Sequence, residues 1–219
     1  MKVLVVDIGG SNIKLQVSGQ EEVRKVPSSP LLTPTQMVDQ VLSAVQDWSY
    51  DAVTIGYPGP VLNGEPQLEP KNLGPGWVGF NFAVAFHRPV KVLNDAAMQA
   101  LGSYEGGRML FLGLGTGLGT TLIIDQTVAP LELAHLPYRK KRTYEDYLGL
   151  RGLQRRGKRK WQQSVEDVVA LFYKALVVDY VVVGGGNAKK LLRIPPFARL
   201  GHNRNAFIGG YRIWERDEG

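Results

Sequence analysis

The chain has 219 residues, 44% of them hydrophobic, with no cysteine, three histidines and a formal net charge of +6. That length buries a sizeable core and fits one unit or two closely coupled lobes, while the missing cysteines exclude disulfides and thiolate-bound zinc, so no zinc is expected. No apolar run approaches the ~20 residues that cross a bilayer, and Met1-Lys2 leads straight into an apolar strand without a cleavable signal pattern, so a cytoplasmic protein is expected.

Val3–Val6 is a continuous apolar run ending at Asp7 and Gly9-Gly10, the pattern of a buried strand entering a tight turn, and Ile13, Leu15 and Val17 alternate with polar residues as the returning strand. Thr33-Pro34-Thr35-Gln36 supplies a cap, a first-turn proline and a reciprocal Gln, which predicts a helix over 34–48. A second buried strand, Ala52–Ile55, ends in Gly56-Tyr57-Pro58-Gly59-Pro60. The stretch 63–86 reads as a long loop or short hairpins of the kind that shape a cleft. Val90–Leu93 resumes the sheet, and Asn94-Asp95 opens a helix stopped by Gly106-Gly107.

The second half begins as the first does. Met109–Leu112 is apolar, residues 113–119 form a glycine-rich turn, and 120–124 return as a strand. A basic segment follows, then Ser164–Asp167 as a capping box for a helix through Val168, Val169, Phe172 and Leu176. Tyr180–Val183 is another buried strand, ending at Gly184-Gly185-Gly186-Asn187 before a further expected helix. The repeat suggests two lobes, 1–107 and 108–219.

Three glycine-rich turns thus sit at the carboxyl ends of buried strands, where ligands of α/β folds gather and where backbone N–H groups can approach a phosphate. Residues 113–119 precede a strand and no Walker lysine is present, which disfavours dinucleotide enzymes and P-loop ATPases. Asp7 reads either as a turn former or as a group holding Mg2+ directly or through water. Asp95 reads as a helix cap, as a reactive carboxylate, or as both. Glu132 and His135 share a face if their segment is helical, either as a surface pair or as partners of vicinal hydroxyls.

Charge is unevenly spread. Residues 139–160 hold ten basic side chains against Glu145 and Asp146, a local charge of +8 that leaves about −2 elsewhere. Such a run is a solvated face or mobile loop unless it meets an anion, either a polyphosphate chain or, less favoured, nucleic acid.

Taken together the motifs resemble those of the ROK family of sugar kinases, within it the glucokinase and polyphosphate-glucokinase branch. The matching stretches are Asp7-Ile8-Gly9-Gly10-Ser11-Asn12-Ile13-Lys14, Gly56–Val61, Asn94-Asp95-Ala96-Ala97, Leu114–Gly119, Glu132-Leu133-Ala134-His135 and Val183–Gly186. The resemblance implies a ribonuclease H-like, actin-like ATPase fold, duplicated into two lobes, with sugar and donor meeting in the interlobe cleft. It implies Asp95 as general base, and Asn94, Glu132, His135, Glu145 and Asn72 as ligands of a hexose, most simply glucose. The phosphates fall to Asp7, Gly9, Gly10, Ser11, Asn12 and Lys14, to Gly115, Thr116 and Gly117, and to Gly184, Gly185 and Gly186. Mg2+, ATP or polyphosphate as donor, and a homodimer complete the expectation. The family's zinc-binding cysteines are missing, which leaves His135 for sugar. A sugar-responsive regulator is disfavoured because the first strand is expected from Val3, and no membrane partner is expected.

Overall fold

The computed structural model describes residues 1–202 and 204–215. In chain order the elements are β1 (Val3–Ile8), β2 (Asn12–Val17), β3 (Arg24–Pro27), α1 (Pro34–Ala44), β4 (Ala52–Tyr57), β5 (Val61–Leu62), β6 (Glu65–Pro66), α2 (Phe82–Phe86), β7 (Val90–Asn94) and α3 (Asp95–Ser103). They continue as β8 (Arg108–Leu114), β9 (Leu118–Ile124), β10 (Thr127–Leu131), α4 (Tyr144–Leu148), α5 (Leu150–Ala175), β11 (Tyr180–Gly184), β12 (Ala198–Leu200) and α6 (Asn205–Glu215), with single 3-10 turns at Leu133–His135 and Ala188–Lys190. No helix among the described residues is long and apolar enough to cross a membrane.

Packing divides the chain into two compact units, Met1–Met98 with the last helix from Ala206, and Gln99–Asn205. The first holds a five-stranded sheet in the order β3-β2-β1-β4-β7, the second one in the order β10-β9-β8-β11-β12. In each, an antiparallel three-stranded meander is extended by two parallel strands, β4 and β7 on β1, and β11 and β12 on β8. This is the duplicated plan that the repeated strand-turn-strand pattern predicts. The continuous apolar runs are explained by position: β1 has sheet neighbours on both sides and all six of its residues are buried.

Helix α1 carries the expected reciprocal cap, with the Thr33 hydroxyl accepting from the Gln36 N–H and the Gln36 carboxamide accepting from the Thr33 N–H. It stops at Ala44 rather than 48, and Val45 and Trp48 pack on the core from the turn that follows. The cleft loop contains the β5–β6 hairpin, turned by Asn63 and Gly64 at φ of 52° and 79°, and the short α2. In the second unit Ser164 is not a cap. Helix α5 starts at Leu150, with a break at Gly157 (φ 71°, ψ 161°), and the Ser164 hydroxyl bonds back to Lys160 O. The second piece of the helix is already under way before Ser164, and its buried Trp161 donates to Leu148 O at 2.8 Å. The basic stretch is therefore a turn at 139–142 followed by mostly helical structure from Tyr144, interrupted at Gly149 and Gly157. Between β11 and β12 there is a 3-10 turn rather than the expected helix, ending at Lys190 ahead of Pro195-Pro196.

The contact division also differs from a cut after residue 107. Ala206 and Phe207 of α6 join Val3, Val5 and Met98 in an apolar cluster of the first unit. Thr54 Oγ1 donates to Gly210 O at 2.7 Å and accepts from Trp214 Nε1 at 2.8 Å. A Cβ at Gly210 would come within 2.5 Å of the Val5 side chain, so glycine lets the helix lie directly on β1.

Candidate active site

In the first unit the parallel strands β1, β4 and β7 deliver the site residues to one sheet edge. Their register sets Asp7 beside Gly56, Gly56 beside Leu93 and Tyr57 beside Asn94, so Asp7 and Asp95 emerge at the same carboxyl end. Two strand spacings, about 10 Å, separate β1 from β7. Asp7 is buried, and its Oδ2 accepts from Lys14 Nζ at 3.0 Å across the β1–β2 pair. Lys14 thus meets the Asp7 carboxylate rather than standing alone.

The turn between these strands is closed by Gly9 N–H donating to Asn12 O at 3.1 Å, and a Cβ on Gly9 would lie 2.8 Å from that oxygen. Gly10, Ser11 and Asn12 are exposed, and the N–H groups of Gly10 and Ser11 have no acceptor among the described residues. Asn72 is exposed too, its Cβ 3.9 Å from where a Gly10 Cβ would stand, so the cleft loop brings it beside the phosphate turn.

Asn94 is the cap of α3. Its Oδ1 accepts from Ala96 N and Ala97 N at 3.0 and 3.1 Å, while Nδ2 donates to Gly59 O at 3.0 Å. The carboxamide proposed as a sugar ligand therefore also pins the 56–60 loop to the helix start. Asp95 follows as the first helical residue, half-buried, with Oδ1 accepting from Ala96 N at 2.7 Å. A carboxylate in this position is stabilised as an anion by the amide dipoles of α3. The loop between is tied down at buried Tyr57, which donates to Leu68 O and whose hydroxyl pKa is pushed up by burial. Against its own partial desolvation, Glu69 is held below the usual carboxylate range by the N–H groups of Trp77, Val78 and Gly76.

In the second unit two of the glycine turns lock together. Gly185 (φ 82°) lies against Leu114, where a Cβ would be 2.6 Å from the Leu114 carbonyl oxygen. Asn187 N–H donates to Leu114 O and its Nδ2 to Gly115 O, both within 2.8 Å. Leu150 N–H, at the start of α5, donates to Gly115 O and Thr116 O. Carbonyls, which an anion would avoid, are thus consumed, while the N–H groups of Thr116 and Gly117 have no acceptor among the described residues. Gly186 is exposed.

Glu145, at the start of α4, reaches this turn: a Cβ on Gly117 would lie 2.4 Å from its Oε2, and Arg151 Nη2 stands 3.5 Å from its Oε1. Glu132 and His135 do share a face, on a 3-10 turn, with Nε2 3.4 Å from Oε2 and both side chains more than half exposed. Thr120 organises this segment, accepting from Leu133 N and donating to Leu131 O. Asn187 and Glu69 were not singled out from sequence. An Asn directly after three glycines was the available signal for the first. Nothing local marked the second, whose partners lie seven to nine residues away. Among the described residues no group of three or more His, Cys, Asp or Glu side chains stands ready for a metal ion.

No protein-family model matches the chain. A polyphosphate glucokinase of Mycobacterium leprae is 26% identical over 213 residues, 87% of this chain, and an N-acetylmannosamine kinase of Vibrio vulnificus is 32% identical over 146 residues, 58% of this chain. The chain spans 65% and 48% of the length of these two relatives. An inorganic polyphosphate/ATP-glucomannokinase from Arthrobacter sp. strain KM superposes with a TM-score of 0.82 at 22% identity, over 99% of both chains. A ROK family glucokinase from Streptomyces griseus, in complex with glucose and AMPPNP, gives 0.73 at 18% identity, over 97% of this chain and 99% of that one. The curated relatives are thus sugar kinases by name, and the Streptomyces griseus neighbour is named as a member of the ROK family.

Proposed function

We propose that the chain is a sugar kinase that moves a phosphoryl group from ATP or polyphosphate to a hexose hydroxyl, glucose O6 in the first instance, with Asp95 as general base. The observation that carries this reading is the seat of Asp95. A half-buried carboxylate on a capped helix N-terminus shares a strand edge with Asp7 and with the open amides of Gly10 and Ser11. Asp95 takes the proton of the attacking hydroxyl, and the amides at Gly10, Ser11, Thr116 and Gly117 hold phosphate oxygens as charge spreads in transfer. Gly184–Gly186 line the donor side. Glu132, His135, Glu145, Asn94 and Asn72 are the sugar's hydrogen-bonding set.

Asp7 is a fitting holder for Mg2+, since that ion keeps several waters and asks for one or two carboxylates beside substrate phosphates. When bound, it neutralises phosphate charge. A cytoplasmic homodimer working on free sugar is the setting we propose.

Dependence on polyphosphate alone is the second reading, favoured by the basic stretch and by the polyphosphate glucokinases among the relatives. The test is a sugar-phosphate assay with Mg2+, ATP and polyphosphate in parallel, on glucose, mannose and N-acetylmannosamine. Glucose turnover with either donor supports the proposal, and no turnover on any pairing overturns it.

A further inference from the structure

A cavity of about 490 Å³ in the second unit is lined by Arg139, Lys140, Arg142, Tyr147, Arg155, Arg156 and Lys160. We infer that this basin is an anchoring site for a linear chain of phosphates, distinct from the glycine turns; as the hold on a donor it rests on the kinase reading.

The basin has two walls. One is a tight turn, Arg139–Arg142, closed by Arg142 N–H donating to Arg139 O at 3.1 Å and framed by the Pro137–Thr143 bridge. The other is the stretch of α5 on either side of its break at Gly157. Tyr147 forms the floor, with the guanidinium groups of Arg155 and Arg156 5.6 and 4.6 Å from its ring centre.

Acidic compensation is thin. Arg139 pairs with Asp167 at 3.4 Å, Arg155 donates to Asp146 O, and Arg156 donates to the Ser164 hydroxyl. Lys140, Arg142 and Lys160 have no ion pair among the described residues.

The turn itself argues for selection of charge over local comfort. Lys140 and Lys141 sit at φ of 51° and 58°, the left-handed region that turns of this kind normally give to Asn and Gly. Placing two lysines there opposes backbone preference, and outliers of this sort mark function more often than chance.

Six cations around one basin exceed what a single phosphate can engage, whereas a chain with a charge on every unit meets several at once. Nucleic acid is disfavoured because the aromatic faces are taken. Arg155 and Arg156 lie over Tyr147, and Tyr138 and Tyr144 stack on each other at 4.6 Å. The basin also lies near the glycine turn at 113–119 of this unit. Glu145 and Tyr147 belong to the same short helix, the first reaching Gly117 and the second flooring the basin, so roughly one helix width, about 10 Å, lies between. A chain longer than the triphosphate of ATP is needed to use both.

The test titrates the full chain with tripolyphosphate, long-chain polyphosphate and a single-stranded oligonucleotide at about 50 and about 200 mM salt, and measures turnover with ATP and polyphosphate. Long chains are expected to bind about tenfold or more tighter than tripolyphosphate and to lose about 10²-fold over that salt range, by analogy with counterion release. Arg142→Gln/Lys160→Gln is expected to raise the polyphosphate KM about tenfold and leave ATP turnover unchanged. Lys140→Asn/Lys141→Gly is expected to lose polyphosphate affinity while raising Tm by about 2–4 °C, a pairing that a purely structural turn would not show. An unchanged polyphosphate KM in both variants, or an oligonucleotide bound as tightly as polyphosphate, overturns the assignment. If no donor supports turnover but the variants still lose polyphosphate, the kinase reading falls and the basin stands.

Discussion

The two glycine turns at the heads of β1 and β8 have the same topology and different support. The first, around Gly9-Gly10, is a hairpin closed by Gly9 N–H on Asn12 O and held by Ser28 N–H on Ser11 O, with Asn72 beside it. The second is wedged in place by Gly185, Asn187, the start of α5 and Glu145. Equivalent positions in a duplicated fold therefore differ in how much they tolerate: the first is held by its strands and the Ser28 N–H, the second by three other segments. The chemistry divides the same way, with the carboxylates Asp7 and Asp95 in the first unit and the concentrated positive charge in the second.

The sharpest test of this division is Asp95→Asn. Loss of general-base help is expected to lower kcat about 10²- to 10⁴-fold, with sugar affinity retained, read by turnover and by calorimetric sugar binding. Wild-type turnover would remove Asp95 from the mechanism. Next come the glycines themselves. Gly185→Ala forces a side chain at φ 82° into the Leu114 carbonyl and is expected to cost about 2–4 kcal/mol, whereas Gly10→Ala, whose nearest neighbour is 3.9 Å away, is expected to change stability by less than about 0.5 kcal/mol. Urea midpoints of the two variants read this directly, and equal losses would break the comparison.

Asn94→Ala is expected to cost about 1 kcal/mol as a lost cap, with a fall in kcat as the seat of Asp95 loosens. Asn94→Asp keeps the cap but cannot donate to Gly59 O, so stability should return without full activity. The smallest effect concerns acid. The Thr143 N–H, against some desolvation, holds the Asp146 carboxylate below its ordinary value. Its contribution is present above the unfolded value, about 3.9, and fades as pH falls through the lower folded value. Asp146→Asn should therefore destabilise more at about pH 6 than at about pH 3.

Most of the sheet plan was legible because buried central strands must be apolar without interruption, and the strand-turn-strand signature occurs twice. The α1 cap was legible residue by residue, since a Thr-Pro-x-Gln sequence needs only local bonds. What local pattern missed depended on distant partners. Ser164 looked like a cap because the tie between Trp161 and Leu148 O cannot be seen in sequence. Asn94 and Asp95 together looked like a cap, and only the hydrogen bonds separate them, giving Asn94 the capping and Asp95 the first helical position. At the site, the spacing of Glu132 and His135 anticipated their shared face, although the segment is a single 3-10 turn. The approach of Glu145 to Gly117 depends on the fold of the basic region and had no local signal.

Helix α6 has a consequence for synthesis. Because its residues complete the cluster around Val3, Val5 and Met98, the first unit has a discontinuous sequence, and its opening 98 residues leave the ribosome without their last wall. The second unit is contiguous from 99 to 205, so its folding waits on no segment from elsewhere in the chain. Nascent chains usually fold from the amino end forward. Here the order is expected to be reversed, with the later segment settling first and the earlier one waiting, its β1–β4 face uncovered, for residues beyond 205.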